Sequence, residues 1–223
     1  MKLVWKILKW VLIFFFGSTI LAVVAYRFIP VYITPLMVIR AISPKDGSTE
    51  AQKEAQRHWK HQWVSYDEIS QWMPRAVVAT EDGRFYQHHG FDFEQIEKAI
   101  EEKKDGKRER GASTITQQTA KNVFLWPGHS WVRKGLEAYF TVLIELFWSK
   151  ERIMEVYLNS IEMGPGIYGV QAAAEHYFDR PAANLTKGQA ALIALSLPNP
   201  FKRNPARPSG YMLRRRSVIY RWM

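Results

Sequence analysis

The chain contains no cysteine. That excludes disulfides, thiolate zinc sites and a cysteine nucleophile, while leaving the redox compartment open. Acidic residues are scarce: 21 Asp and Glu face 31 Lys and Arg, a formal net charge of +10. Such a surplus points to an anionic partner, whether nucleic acid, a membrane surface or a phosphorylated substrate. No pair of alternating apolar and polar runs is present, so the sequence predicts helices and no hairpin. What is there is apolar and aromatic, 47% and 14% of 223 residues. With a hydrophobic N-terminal segment set aside, this suffices for one well-buried domain and falls short of two large ones.

The N-terminal segment is the uncharged run Trp10 to Tyr26, preceded by Lys2, Lys6 and Lys9 and followed by Arg27. About 17 residues at about 1.5 Å each span roughly 26 Å, and Lys9 and Arg27 can snorkel to complete a bilayer crossing. The lysines place the N-terminus in the cytoplasm. A signal peptide cleaved after Val23-Val24-Ala25 is the competing reading, against which the apolar run is long. The expected division is an anchor over residues 1–30, a membrane-proximal segment and linker over 31–49, and a folded domain over 50–223. Within the second, Val31 to Ile39 reads either as an interfacial segment or as a strand packed on the domain, and Ser43 to Thr49 as a turn-rich linker.

The domain reads as helical throughout. Helices are expected from Thr49 to about Trp63, from a proline-opened start at Pro74 to Glu81, and from an Asp92 cap to about Lys103 with Gly106 beyond its end. Ser113, Ser130, Ser149 and Thr186 would cap helices reaching about Asn122, Trp148, Asn159 and Leu197. Lys103 to Arg110 is nearly all charged and reads as a solvated, mobile loop; a basic segment from about Gly210 closes the chain.

Three stretches carry chemistry. Glu81-Asp-Gly-Arg-Phe-Tyr-Gln-His-His-Gly-Phe-Asp92 puts adjacent carboxylates at a helix C-terminal end, where they oppose the macrodipole and are costly unless a site or a cation uses them. Gly111-Ala-Ser-Thr-Ile-Thr-Gln-Gln118, with Lys121 and Asn122 a turn later, offers donors and no acids at a helix start, a cradle for sugar hydroxyls or phosphate oxygens. In the helix from Ser130, Ala138 to Trp148 is apolar except Thr141 and Glu145, so that part reads as buried nearly all round. Arg133, Glu137, Thr141 and Glu145 fall on one i,i+4 stripe, with Lys134 a turn before Glu137. A carboxylate in such a setting needs a partner or a task.

These stretches, together with Lys150-Glu-Arg-Ile-Met-Glu-Val-Tyr-Leu-Asn159 and the run from Gly164 through Tyr168-Gly169 to Phe178, resemble the monofunctional biosynthetic peptidoglycan transglycosylases, relatives of the glycosyltransferase domain of class A penicillin-binding proteins. The likeness runs from about residue 65 to the C-terminus, and five ordered motifs make it specific. Ala112 departs from the pattern, where many members carry a second glycine.

The resemblance implies an all-α, lysozyme-like, two-lobed domain behind a single transmembrane helix, with the smaller lobe against the membrane. It implies lipid II polymerisation with inversion and loss of undecaprenyl pyrophosphate. Glu81 would be the general base and Glu137 the second essential carboxylate, either holding a divalent cation (magnesium or manganese) or orienting basic groups. Lys121, Arg133 and Lys134 would offset pyrophosphate charge. Ser113, Thr114, Gln117, Gln118 and Asn122 would hold glycan and phosphate oxygens, with Asp82 and Phe85 also in the substrate site. The Lys150 to Asn159 segment reads as packing, Gly164, Gly166 and Gly169 as turn formers, and Ala172 to Ala174 as a close-packing surface. Implied partners are lipid II, the growing glycan, the membrane and other cell-wall synthesis or division proteins, with no nucleic acid. The implied location is the bacterial inner membrane, catalytic domain periplasmic, and the phosphoglycolipid moenomycin is an implied inhibitor. No Ser-x-x-Lys or Lys-Thr-Gly occurs, so transpeptidation is not expected. A membrane-anchored hydrolase or lytic transglycosylase, and a non-catalytic cell-wall scaffold, remain alternatives.

Overall fold

A computed structural model describes residues 1–106, 111, 113–128 and 130–223. Eleven helices are found among the described residues: α1 Lys2–Tyr26, α2 Pro35–Ile42, α3 Glu50–Arg57, α4 Trp72–Glu81, α5 Phe93–Lys104, α6 Ile115–Phe124, α7 Trp131–Phe147, α8 Lys150–Ser160, α9 Val170–Phe178, α10 Lys187–Ser196 and α11 Gly210–Ile219. Side-chain caps explain most starts. Asp92, Ser130, Ser149 and Thr186 each accept from the backbone N–H three residues on, as expected. The cap of α6 is Thr114 and not Ser113, because Thr114 forms a reciprocal capping box with Gln117. Pro74 sits inside the first turn of α4 instead of opening it. The helix from Thr49 stops at Arg57, well short of Trp63. Of the charged stretch Lys103 to Arg110, residues 107–110 lie outside the described residues, as does Ala112.

The expectation of no strands needs correcting. Beyond Arg57 the chain becomes extended, and Lys60–His61 (β1) pairs in parallel with Ile167–Tyr168 (β3), which pairs antiparallel with Glu162–Gly164 (β2). Strands of two or three residues are too short to show alternation. Gly166 permits this junction: its φ is +68°, and a Cβ would lie 1.9 Å from the Ala55 carbonyl oxygen.

Helix α6 is central, packing on α2, α7 and α8, while α10 packs on α4 and α11. The main core includes Met73, Val77, Phe85, Ile115, Ile144, Ile153, Tyr157 and Ile193. Its reach extends to the N-terminal segment, since Val23 and Val31 belong to the same buried cluster. The end of α1 is gripped by side chains. The Trp148 indole donates to the Val23 carbonyl (2.8 Å), and Arg152 donates to the carbonyls of Tyr26 and Ile29 (2.8 and 2.7 Å). These bonds satisfy acceptors that a helix C-terminus leaves open. Deeper along α1, the Thr19 and Tyr139 hydroxyls share a 2.8 Å hydrogen bond, and Phe15 and Phe16 pack on the Tyr139 ring. At 25 residues and mean hydropathy 2.3, α1 is long and apolar enough to cross a membrane.

Val31 to Ile39 is not a strand: Thr34 caps α2, Pro35 occupies its first turn, and Met37 is fully buried. Helix α7 is not buried all round. Val142 and Leu146 are 55% and 70% exposed, on the face that carries Tyr139 toward α1.

Candidate active site

Helix α4 ends at Glu81, and Asp82 turns the chain. The turn is fixed by buried polar contacts. The His88 ring nitrogen Nε2 lies 2.9 and 3.0 Å from the two Asp82 carboxylate oxygens, and the Ile115 N–H donates to Asp82 Oδ2 (3.0 Å). The carboxylate that would oppose the dipole of α4 thus caps the positive end of α6. Thr114 Oγ1 donates to the Gly90 carbonyl (2.6 Å). Gly90, at φ +86°, leaves no room for a side chain, since its Cβ would meet Thr141 at 2.7 Å. This lock holds the Glu81 turn against α6 and α7.

Two adjoining pockets form the cleft, sharing Gln118. The first, about 560 Å³, is lined by Glu81, Asp82, Ser113, Thr114, Gln118 and Arg215 among others. The second, about 280 Å³, is lined by Gln118, Lys121, Asn122, Trp126, Arg133, Arg40 and Glu162 among others. Gln118 Nε2 donates to Glu81 Oε2 (3.1 Å), and its Oε1 accepts from the buried Tyr157 hydroxyl (3.3 Å). Burial raises the pKa of Glu81, opposed by the Gln118 hydrogen bond and the fields of Arg203 and Lys121. Burial likewise lowers the pKa of Lys121, which lies in the fields of both Glu137 and Glu81 and beside Arg133 and Lys134.

Glu137, 3% exposed, is held by two cations of its own helix: Lys134 Nζ in close contact and Arg133 Nη1 at 3.5 Å. The donors around it are cationic, and among the described residues it belongs to no group of metal-ligating side chains. The geometry therefore supports its orienting role and does not fit a cation held by protein ligands there. The described group whose ligand atoms converge, within 4.8 Å, is Asp82, His88 and Asp92. Further along the α7 stripe, Glu145 accepts from Thr116 Oγ1 (2.6 Å) and Lys150 Nζ (2.7 Å).

Several expected substrate contacts are reassigned. Phe85 is fully buried beneath the Lys150 ammonium, 4.6 Å from its ring centroid, and cannot touch a ligand in the cleft. Gln117 is 5% exposed, lines neither pocket, and its Oε1 accepts the Thr114 N–H. Asp82 and Thr114 face the first pocket, but their oxygens hold the turn. Ser113, Gln118, Lys121, Asn122 and Arg133 do line the cleft, whereas Lys134 reaches it through Glu137. The reading of Lys150 to Asn159 as packing missed Tyr157, which orients Gln118. Arg40, Glu162, Arg203 and Arg215 were also missed. The visible signal for Arg40 was one charge inside an apolar run; for Arg203, its place after Pro198-Asn199-Pro200.

The helical domain thus brings a desolvated carboxylate and a cationic wall together in one cleft. The family model described as Transglycosylase matches residues 47–223, and the chain belongs to that family. It is similar to proteins named biosynthetic peptidoglycan transglycosylase. That of Bacteroides thetaiotaomicron is 62% identical over 98% of this chain and 87% of its own. That of Bdellovibrio bacteriovorus is 54% identical over 97% and 86%, and that of Caulobacter vibrioides 53% over 91% and 83%. The chain is accordingly a peptidoglycan glycosyltransferase.

Proposed function

We propose that this transglycosylase polymerises lipid II, with Glu81 as general base. The acceptor 4-hydroxyl gives its proton to the Glu81 carboxylate while its oxygen bonds to the anomeric carbon of the growing chain. The bond from that carbon to the undecaprenyl pyrophosphate oxygen breaks with inversion, and the departing oxygen takes the electron pair. Lys121 and Arg133, with Lys134 held through Glu137, stabilise the charge that develops there. Desolvation makes Glu81 more basic than an exposed glutamate, while the Gln118 N–H and the Lys121 and Arg203 fields favour its ionised form.

The observation that carries this reading is the pairing of that base with a cationic pocket beside an apolar surface. Tyr139 meets α1 at Thr19, seven residues before its end, about 10 Å down the helix. With α1 as a membrane anchor, the exposed Val142 and Leu146 face lipid, and the cationic pocket lies where a lipid-linked pyrophosphate arrives. Lys2, Lys6 and Lys9 orient the anchor with the N-terminus cytoplasmic and the domain periplasmic. These residues carry no Ser-x-x-Lys or Lys-Thr-Gly, so the activity assigned to this domain is glycan extension.

Full-length protein in detergent with labelled lipid II tests the reading. The expected result is a polymer whose formation moenomycin blocks and β-lactams do not. Digestion of preformed glycan without polymer would establish the hydrolase, and neither activity the scaffold.

A further inference from the structure

Helix α2 precedes the stretch matched by the family model, which begins at residue 47, yet it forms part of the cleft wall. Its position is set by the Thr34 cap, the fully buried Met37 and packing on α3 and α6. That frame presents Leu36 and Arg40 to the second pocket, beside Lys121, Asn122, Arg133 and Glu162. The cations there differ in their ties. Arg133 is paired with Glu137. Arg40 makes no ion pair within 4.0 Å among the described residues, and its buried Nε has no hydrogen-bond partner. Across from it stands the Glu162 carboxylate, which feels the Arg40 and Lys45 fields and accepts from the Gly166 N–H and, at 3.4 Å, from the Tyr168 hydroxyl.

We propose that Arg40 is a third phosphate-binding cation of the pyrophosphate pocket, and that Glu162 faces it as the counter-charge a bound phosphate displaces. A guanidinium offers a planar fork of donors matched to two phosphate oxygens, which a lysine cannot reproduce. Arg40, Lys121, Arg133 and Lys134 outnumber Glu137 and Glu162 by four to two, a surplus suited to a multiply charged pyrophosphate and excessive for a neutral sugar. Glu162 then has a definite cost for binding, because its charge repels the incoming anion. The proposal rests on reading this pocket as the pyrophosphate site.

The test is calorimetric titration of full-length protein in detergent with farnesyl pyrophosphate and farnesyl monophosphate at pH 8. Arg40→Met should raise the pyrophosphate Kd about tenfold or more, with a smaller change for the monophosphate, and Arg40→Lys should fall between. Glu162→Gln should lower the Kd several-fold, a sign that a merely structural Arg40–Glu162 contact does not produce. An Arg40→Met Kd within about twofold of wild type, where Lys121→Met or Arg133→Met weakens binding, would overturn the role of Arg40 and leave the pocket reading intact. No change in any of the three would overturn both. Should Arg40→Met fail to fold, unchanged or weaker binding by Glu162→Gln overturns the proposal.

Discussion

Glu81 and Glu137 are both largely buried carboxylates on helices that border the cleft, yet their surroundings are opposite in kind. Glu81 receives one neutral N–H, from Gln118, and burial raises its pKa. Glu137 is clasped by Arg133 and Lys134 from its own helix. A carboxylate kept in a dry, weakly bonded setting retains appetite for a proton. One embraced by two cations fixes where those cations point. The contrast fits the proposed division of labour, base chemistry for the first and electrostatic alignment for the second.

Replacing each by glutamine should break that symmetry in different ways. Glu81→Gln keeps the shape and removes the proton acceptor, so single-turnover polymerisation should fall by about 10²–10⁴. Its Tm should stay level or rise slightly, because the ionised side chain was held at a desolvation cost. Full turnover in this variant would end the base assignment. Glu137→Gln leaves Arg133 buried without its counter-charge. Lys134 is about half exposed and partly relieved by water, so the stability loss should be about 1–3 kcal/mol, below the usual figure for a fully buried pair. Thermal unfolding should show it, together with tighter pyrophosphate binding and slower turnover. A Glu137→Gln enzyme with native Tm and native affinity would remove the alignment role.

The outline of this contrast is legible in the sequence. Caps at Asp92, Ser130, Ser149 and Thr186 follow from short side chains that reach a free N–H, a local matter that sequence expresses directly. The i,i+4 stripe on α7 sets Arg133 and Glu137 one turn apart, and the structure joins them at 3.5 Å. What escaped was non-local. Phe85 carries the same letters whether it faces substrate or core, and only the packing of α8 and its Lys150 over the ring decides. Gln117 and Gln118 are adjacent amides of equal polarity; one closes a capping box and the other reaches Glu81, a difference of 100° around a helix whose start was misplaced by one residue. Arg40 and Glu162 are 122 positions apart, and no periodicity connects them. The three-stranded sheet was invisible because strands of two and three residues hold too little alternation to be read.

Glu162 offers a sharper version of the same comparison, since it is another carboxylate of the cleft, in an intermediate setting. Burial raises its pKa from 4.5 to about 7, against the fields of Arg40 and Lys45 and the hydrogen bonds from the Gly166 N–H and Tyr168. A folded-state value above the unfolded one means that the native protein binds the proton more tightly. Its contribution to stability is then fully present below about pH 4.5 and is lost as pH rises through about 7. The full interval corresponds to about 3 kcal/mol, and the side chain keeps part of its surface toward the cleft, so about 1–2 kcal/mol is expected. Tm measured from pH 5 to pH 8 should decline less in Glu162→Gln than in wild type. Parallel curves would show that Glu162 titrates as an ordinary surface glutamate.

The smallest expected effect probes how Glu81 is held. Tyr157 is fully buried in α8 and touches nothing in the cleft, but its hydroxyl donates to Gln118 Oε1 and so turns the amide N–H toward Glu81. Tyr157→Phe keeps the ring and deletes that constraint. The bond is long at 3.3 Å and the freed Gln118 oxygen borders the cleft, where water can reach it, so the loss should be at most about 1 kcal/mol. That corresponds to roughly fivefold in kcat. A general loosening of the core would lower Tm without altering the pH dependence. A positioning role makes a distinct demand: with Gln118 donating less often, Glu81 loses the interaction that most favours its ionised form, and the acid limb of the pH–rate profile should move to higher pH. Gln118→Glu should move the limb further in the same direction, because a second carboxylate at that position raises the Glu81 pKa through repulsion while supplying no N–H. An unmoved acid limb in Tyr157→Phe, whatever the change in kcat, would reduce Tyr157 to a packing residue and leave Gln118 to orient itself.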